Sequence, residues 1–205
     1  LLNRRAVDGY SFDLGDEGSG LNNNEDVTNA PSGLPIVNSE LLDIFDDAGR
    51  IAGQTTRREA HTAGHIHRSV LFFLLDENHR VFVNQRTAGK EFYPEYWSVV
   101  FGGHVPAGET YEQAVRREAE EEAGINGEPQ YFGSFQKRFD AFDKEDVQVF
   151  AFITNQAPRL DPGEIQGGEF VEIDQLGTWL ATHPFLPETA VVIPLLLGHL
   201  ERPLA

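Results

Sequence analysis

From Glu40 onward the chain alternates short apolar runs with turn-forming clusters, whereas residues 1–38 show no such pattern. Leu41-Leu42-Asp43-Ile44-Phe45 reads as a strand, Asp47-Ala48-Gly49 as a turn, and Arg50-Ile51-Ala52-Gly53 as a short return strand. A linker rich in Arg and His follows, from Thr55 to Arg68. Ser69 to Leu75 is a nearly continuous apolar run, the pattern of a strand buried on both faces. Asp76 to His79 turns the chain into Arg80 to Gln85, which alternates, and Trp97 to Phe101 reads as a further strand. Thr110 to Ala123 is the clearest helix: Thr110 and Gln113 form a capping box at its start, and Gly124 supplies a left-handed stop. Tyr131 to Arg138 and Val147 to Thr154 read as a strand pair around an acidic turn. In the second of these, Gln148, Phe150 and Phe152 face away from Val147, Val149, Ala151 and Ile153. Phe170 to Ile173 is a short strand, Asp174 caps a helix running through Leu180, and a last helix runs from about Glu188 to Leu200, kinked or broken at Pro194. Strands and helices interleave without regular βαβ units, which predicts a mixed-sheet α/β sandwich rather than a doubly wound fold.

The first 38 residues are dominated by Gly, Asn, Asp, Ser and Pro, too poor in large apolar side chains to offset the entropy of ordering. They read as a flexible arm, with the folded domain expected over residues 39–205. A calcium-loop reading fails at Gly15, where the EF-hand pattern from Asp13 wants Asp or Asn. The formal net charge of −17 argues against a nucleic acid polymer or an anionic membrane as partner. No apolar run approaches the roughly 20 residues that span a bilayer, and no signal-peptide pattern opens the sequence, so a cytoplasmic enzyme is the expectation. With no cysteine in the chain, disulfides, thiolate metal sites and cysteine nucleophiles are excluded.

The chemistry concentrates between Gly102 and Ile125. Glu118, Glu121 and Glu122 are spaced i, i+3, i+4, so their carboxylates share one helix face. They lie at the edge of the apolar arc formed by Tyr111, Ala114, Val115, Ala119 and Ala123, where a cleft would open. Three such anions repel one another, and a hard divalent cation with oxygen ligands relieves that repulsion. The bland alternative is a solvated acidic helix paired with Arg116 and Arg117. The loop before the helix decides between them, because Gly102 and Gly103 allow close backbone approach and a carbonyl there can join the ligand set.

Gly103, Glu109, Arg117, Glu118, Ala119, Glu121, Glu122, Gly124 and Ile125 fall at the spacing of the Nudix box, G-x5-E-x7-R-E-U-x-E-E-x-G-U, in which U is aliphatic. Ala119 is smaller than the usual U residue. The chain therefore resembles the Nudix hydrolases. The resemblance implies an α/β/α sandwich with a mixed β-sheet, an α+β fold. It also implies hydrolysis of a diphosphate linkage, in a nucleoside diphosphate joined to another group or a similar small diphosphate, by metal-activated water. Magnesium, with manganese as the alternative, would be held by Glu118, Glu121, Glu122 and the Gly103 carbonyl, with Glu109 and Arg117 in support. A further carboxylate often serves such enzymes as base; Glu164 is the candidate, and Glu169 a second.

Outside the box, Leu42 to Asp46, Arg58, His61, His67-Arg68, Gln85-Arg86, Lys90 and Gly102-Gly103-His104 resemble the Nudix proteins related to isopentenyl-diphosphate isomerase. That isomerase needs a catalytic cysteine shortly before its histidine, and here Trp97 to His104 contains none, so hydrolysis is preferred. Arg86, Lys90 and His104 are candidate substrate contacts, the first two for phosphate. His61, His65 and His67 do not have a standard zinc spacing and read as structural or substrate-facing. The rival function is a non-catalytic Nudix-fold module that binds or senses nucleotides. A homodimer stays open as an alternative to the monomer.

Overall fold

The computed structural model describes residues 40–90, 92–138 and 143–200. The expected arm over residues 1–38 lies outside them. Strand β1 (Leu41–Phe45) and strand β2 (Ile51–Thr56) form a two-stranded antiparallel sheet. Helix α1 (Arg57–Ala63) follows directly. The sequence reading had only a linker here. Thr56 accepts the Glu59 N–H at 3.3 Å and caps the helix, and Gly64 ends it at φ 65°. The helix escapes a hydrophobic pattern because Ala60 is its only buried residue.

The main sheet has seven strands, built on β3 (His67–Leu75), β4 (Val81–Arg86), β5 (Trp97–Ser98), β6 (Phe101–His104), β7 (Gln130–Arg138), β8 (Lys144–Ile153) and β9 (Ile165–Val171). β3 and β8 run parallel in continuous register from His67 opposite Glu145 to Leu75 opposite Ile153, and the other pairings are antiparallel. Both central strands bury both faces, as their apolar runs require. Val70, Phe72, Leu74, Phe150 and Phe152 pack against helix α2 (Tyr111–Ala123) through Ala114, Val115, Ala119 and Ala123. Phe73, Leu75, Val147, Val149 and Ala151 pack on the opposite side, with Leu176 of α3 (Leu176–Thr182) and Val192 and Leu196 of α4 (Thr189–Leu200). The product is the expected helix/mixed-sheet/helix sandwich.

Several boundaries differ from the sequence reading. The expected strand Trp97–Phe101 is split into β5 and β6, because the Ser98 hydroxyl binds both the N–H and the carbonyl of Val100 and turns the chain between them. β8 and β9 both begin earlier than their apolar residues suggest. Asp174 caps nothing: Ile173–Gln175 forms one 3-10 turn, and α3 starts after it without a side-chain cap. α4 runs through Pro194 to Leu200 without a break.

One topological detail opens the site. β3 and β4 are paired only at Leu75–Val81, beside their connecting turn. Away from it they diverge, β3 pairing with β6 and β4 with β5 and β9. β5 is held from outside by the Trp97 N–H on the Pro184 carbonyl and the Leu186 N–H on the Trp97 carbonyl, which draws the start of α4 to the same place.

Candidate active site

Helix α2 presents its carboxylates from a fixed frame. The capping box forms in full: the Gln113 N–H donates to the Thr110 hydroxyl at 3.2 Å and the Thr110 N–H to the Gln113 side chain at 2.9 Å. Gly124 closes the helix at φ 63°. Ala119 is fully buried against the sheet, so the small residue at this box position lets the helix approach closely.

Arg117 organises the acids. One of its nitrogens, Nη1, donates to Glu118 at 2.8 Å and Glu121 at 3.1 Å; Nη2 donates to the His104 carbonyl at 3.1 Å, and Nε reaches Glu109 at 3.5 Å. This fork ties helix to loop and neutralises part of the acidic cluster. Glu118 is buried directly against Gly103: a Cβ at 103 would stand 2.2 Å from Glu118 Oε1. Glu122 accepts the Gly102 N–H at 3.1 Å. Burial, then repulsion from Glu118, pushes the Glu122 carboxyl up to about 8 despite that hydrogen bond. Burial likewise raises Glu118, against the opposing pull of Arg117. Two buried acids that resist ionising side by side are a donor set that fits a divalent cation. Glu121 is the exposed member, its side chain 59% accessible, and Arg117 holds it at the rim.

Glu122 borders a cavity of about 90 Å³ where β3 and β4 diverge. Glu164, Arg86, Asn84, Ser98 and Glu188 line it as well. Glu164 thus meets the box glutamate across the cavity, and Lys90 forms an ion pair with it. Arg86 lines the cavity, but its Nε and Nη2 already donate to the carbonyls of Tyr93 and Phe92, at 3.2 and 3.0 Å. They brace a loop in which Tyr93 and Glu95 have positive φ, 50° and 63°. Glu169 is exposed on β9 and does not line the cavity.

His104 lies in a second cluster. His61, His67, His104 and Glu145 bring one ligand atom each within 4.8 Å of one another. Strand register explains the convergence, since His67 pairs with Glu145 across β3–β8, and Ser69, on the same face as His67, pairs with His104 across β3–β6. His61 Nε2 and His104 Nε2 are 3.1 Å apart, and the buried His67 Nε2 has no hydrogen-bond partner among the described residues, while His67 Nδ1 lies 3.0 Å from the His65 carbonyl. Burial pushes His104 down to about 3 and lowers His61 and His67. Glu145, although buried, is held well below the usual carboxylate range, chiefly by Lys137. Neutral imidazoles beside an ionised carboxylate, with one ring nitrogen orphaned, are the protonation states a transition-metal site needs. His65 contributes only its carbonyl, so the sequence trio His61, His65 and His67 is not the grouping that forms.

Of the residues singled out in the sequence, Glu122, Glu164 and Arg86 line one cavity and Glu118 does not; Asn84, Ser98 and Glu188, which the sequence did not single out, line it as well, and Glu145 joins the histidines. No local spacing marks these; strand pairing and the 184–186 connection bring them in.

The NUDIX domain model matches residues 65–196. An uncharacterised Nudix hydrolase of Streptomyces coelicolor is 44% identical over 97 residues, covering 47% of this chain, and the chain spans only 54% of that relative's length. Isopentenyl-diphosphate Delta-isomerase 1 of Photorhabdus laumondii is 30% identical over 148 residues, which is 69% of this chain and 84% of that one. A crystal structure of a Deinococcus radiodurans protein superposes with a TM-score of 0.64 at 26% identity, covering 76% of this chain and 98% of the other. The chain belongs to the NUDIX family. Within it, the relatives include both hydrolases and isomerases, and this chain carries the complete hydrolase box. Among the described residues no helix is long and apolar enough to cross a membrane.

Proposed function

We propose that the protein hydrolyses a diphosphate linkage, in a nucleoside diphosphate joined to another group or a similar small diphosphate, with magnesium as cofactor. The observation that carries this reading is the mutual repulsion of two buried acids on one helix face, Glu118 and Glu122, which Arg117, the Gly102 N–H and Lys90 offset only in part. Glu118, Glu121 and Glu122, with the Gly103 carbonyl, are the residues that would hold the cation. Bound there, the cation supplies a lowered pKa for water and charge stabilisation on the transferring phosphoryl group. The chain's own residues do the rest. Arg117 keeps Glu118 aimed at the loop, and the Gly102 N–H fixes Glu122. Glu164, oriented by Lys90 across the cavity from Glu122, takes the proton of the attacking water. Arg86 steadies the phosphate from the cavity wall. In this reading the His61, His67, His104 and Glu145 cluster holds a second, softer cation. A cytoplasmic location is part of this proposal, with monomer and homodimer both open.

The test is phosphate release from nucleoside triphosphates, nucleotide sugars, dinucleoside polyphosphates, coenzyme A and prenyl diphosphates, with and without magnesium. Metal-dependent release supports the hydrolase. Binding at saturating magnesium with no turnover across the panel supports instead a module that binds nucleotides. Rearrangement of isopentenyl diphosphate without phosphate release would restore the isomerase.

A further inference from the structure

The cavity beside Glu122 has an uneven hydrogen-bond balance. Its donors are largely engaged, with Arg86 Nη1 left for a phosphate. The Ser98 hydroxyl donates to the Val100 carbonyl at 2.8 Å, and Arg86 donates Nε and Nη2 to the carbonyls of Tyr93 and Phe92. Two of its acceptors are not. Asn84 is 3% exposed, and its Nδ2 donates to the Val100 carbonyl at 3.1 Å, so its Oδ1 is left without a partner among the described residues. Glu188, half-buried where the chain enters α4, lines the same cavity, and its carboxylate has no hydrogen bond or ion pair among the described residues. Glu164 is the carboxylate that Lys90 already matches.

These two acceptors open onto the cavity and meet no donor from the described residues, so a ligand that brings donors is favoured there over one that cannot replace the water they would otherwise bind. They also repel phosphate, which is confined to the side where cations and Arg86 can meet it. At about 90 Å³ the cavity is well below the volume of a drug-sized ligand site, so it takes a small part of a substrate rather than a whole nucleotide.

Resting on the hydrolase reading above, we infer that Glu188 and Asn84 are specificity-determining residues that select substrates whose group next to the diphosphate carries a hydrogen-bond donor, a hydroxyl or an ammonium, over substrates with an apolar group there. The reading sets a hydroxylated or amino-bearing diphosphate against a prenyl one. A site built around a hydroxyl discriminates strongly against the analogue lacking it, because its own acceptors are then left bare.

The test uses a matched pair: ADP-glucose, and ADP whose terminal phosphate is esterified to cyclohexanol. Affinities are read by calorimetry with calcium in place of magnesium, and kcat and KM with magnesium. The wild type is expected to favour ADP-glucose by about tenfold or more in affinity and in KM. Glu188→Ala should shrink that ratio at least fivefold, chiefly by weakening ADP-glucose. Glu188→Gln, which keeps an acceptor oxygen, should retain part of it. Asn84→Asp, close to isosteric and still an acceptor, should keep the preference, with circular dichroism verifying its fold. Equal affinity of the wild type for both compounds, or for neither, overturns the inference. So does an unchanged ratio in Glu188→Ala, or a loss of kcat for both compounds at unchanged KM, which would make Glu188 a participant in the chemical step. Absence of turnover with the affinity ratio intact would instead refute the hydrolase reading and leave this one standing.

Discussion

Replacing Gly103 by alanine should separate the placement of one carboxylate from the integrity of the fold. An added Cβ would lie 2.2, 2.4 and 2.7 Å from Glu118 Oε1, Cδ and Oε2. Ordinary contact begins near 3.4 Å, so the carboxylate must retreat by about 1 Å. What is displaced is the free end of a side chain, and no positive φ at Gly103 adds backbone strain. The stability cost should therefore stay at the low end of overpacking, about 1–2 kcal/mol. That is about 2–8 °C in Tm for a domain of this size. The functional cost should be larger, because a catalytic group displaced by about 1 Å can lose about 100-fold in rate. The displacement also breaks the 2.8 Å contact with Arg117. The control is Gly102→Ala, whose Cβ would meet the Val70 carbonyl oxygen at 2.1 Å. That clash is with backbone in the β3–β6 ladder and cannot be relieved by a side chain, so this variant should lose much more stability. The assays are thermal unfolding, kcat/KM on the substrate found by the panel, and magnesium affinity by calorimetry. A Gly103→Ala protein with wild-type rate and metal affinity would show that Glu118 is not a ligand, and one as unstable as Gly102→Ala would show that the side chain cannot move.

Glu122→Gln should abolish turnover by about 1,000-fold or more, the scale of losing a key electrostatic group, while the metal-free protein stays folded. Because the Glu122 carboxyl is pushed up to about 8 from 4.5, metal-free wild type should lose stability as pH rises across that window, and the variant should not, as thermal melts at several pH values will show. The protein should bind about one equivalent of zinc or manganese at the histidine cluster after dialysis, read by mass spectrometry. His61→Ala, half-buried and thus tolerable, should lose that metal while Glu122→Gln keeps it, and no retained metal in the wild type would refute the site. Asp76 accepts the N–H groups of Asn78 and Arg80 and pairs with the Arg80 guanidinium at 2.7 Å. Asp76→Ala should cost about 1.5–3 kcal/mol in chemical denaturation. Although burial opposes it, contact with Arg80 holds the Asp76 carboxyl below 3.8. Its stabilisation is therefore complete above that value and fades as pH falls toward the folded value, and the variant should lack this part of the acid sensitivity.

The carboxylate face was legible in the sequence because a helix fixes its own geometry: Glu118 and Glu122 share a side wherever the helix packs. One buried strand was legible for a similar reason, since Val70–Leu75 has no polar position to offer solvent. Groups whose neighbours are set by register were not legible. Glu145 reaches the histidines only because β3 and β8 run parallel with His67 opposite it, and nothing local announces that pairing. Asn84 and Glu188 meet only because β5 is clamped by the 184–186 segment. α1 was missed because a helix that buries only Ala60 leaves no apolar stripe.

The choice between hydrolase and isomerase, which share this fold among the relatives, comes down to what faces Glu122 from the β6 side. At that point the chain offers backbone. Gly102 gives its N–H to Glu122, and its Cα is pressed so close to the Val70 carbonyl that any side chain there would force the strands apart. Ser98 is consumed in turning the chain, and Val99, Val100 and Phe101 are core. From Trp97 to His104, then, no thiol exists to hand a proton to a carbon centre, and the segment's close packing leaves little room to add one. What remains against Glu122 is a backbone donor, a second carboxylate across the cavity at Glu164, and unmatched acceptors at Asn84 and Glu188. Such a surface suits a cation, water and a polar leaving group, and it gives a prenyl chain little to bind.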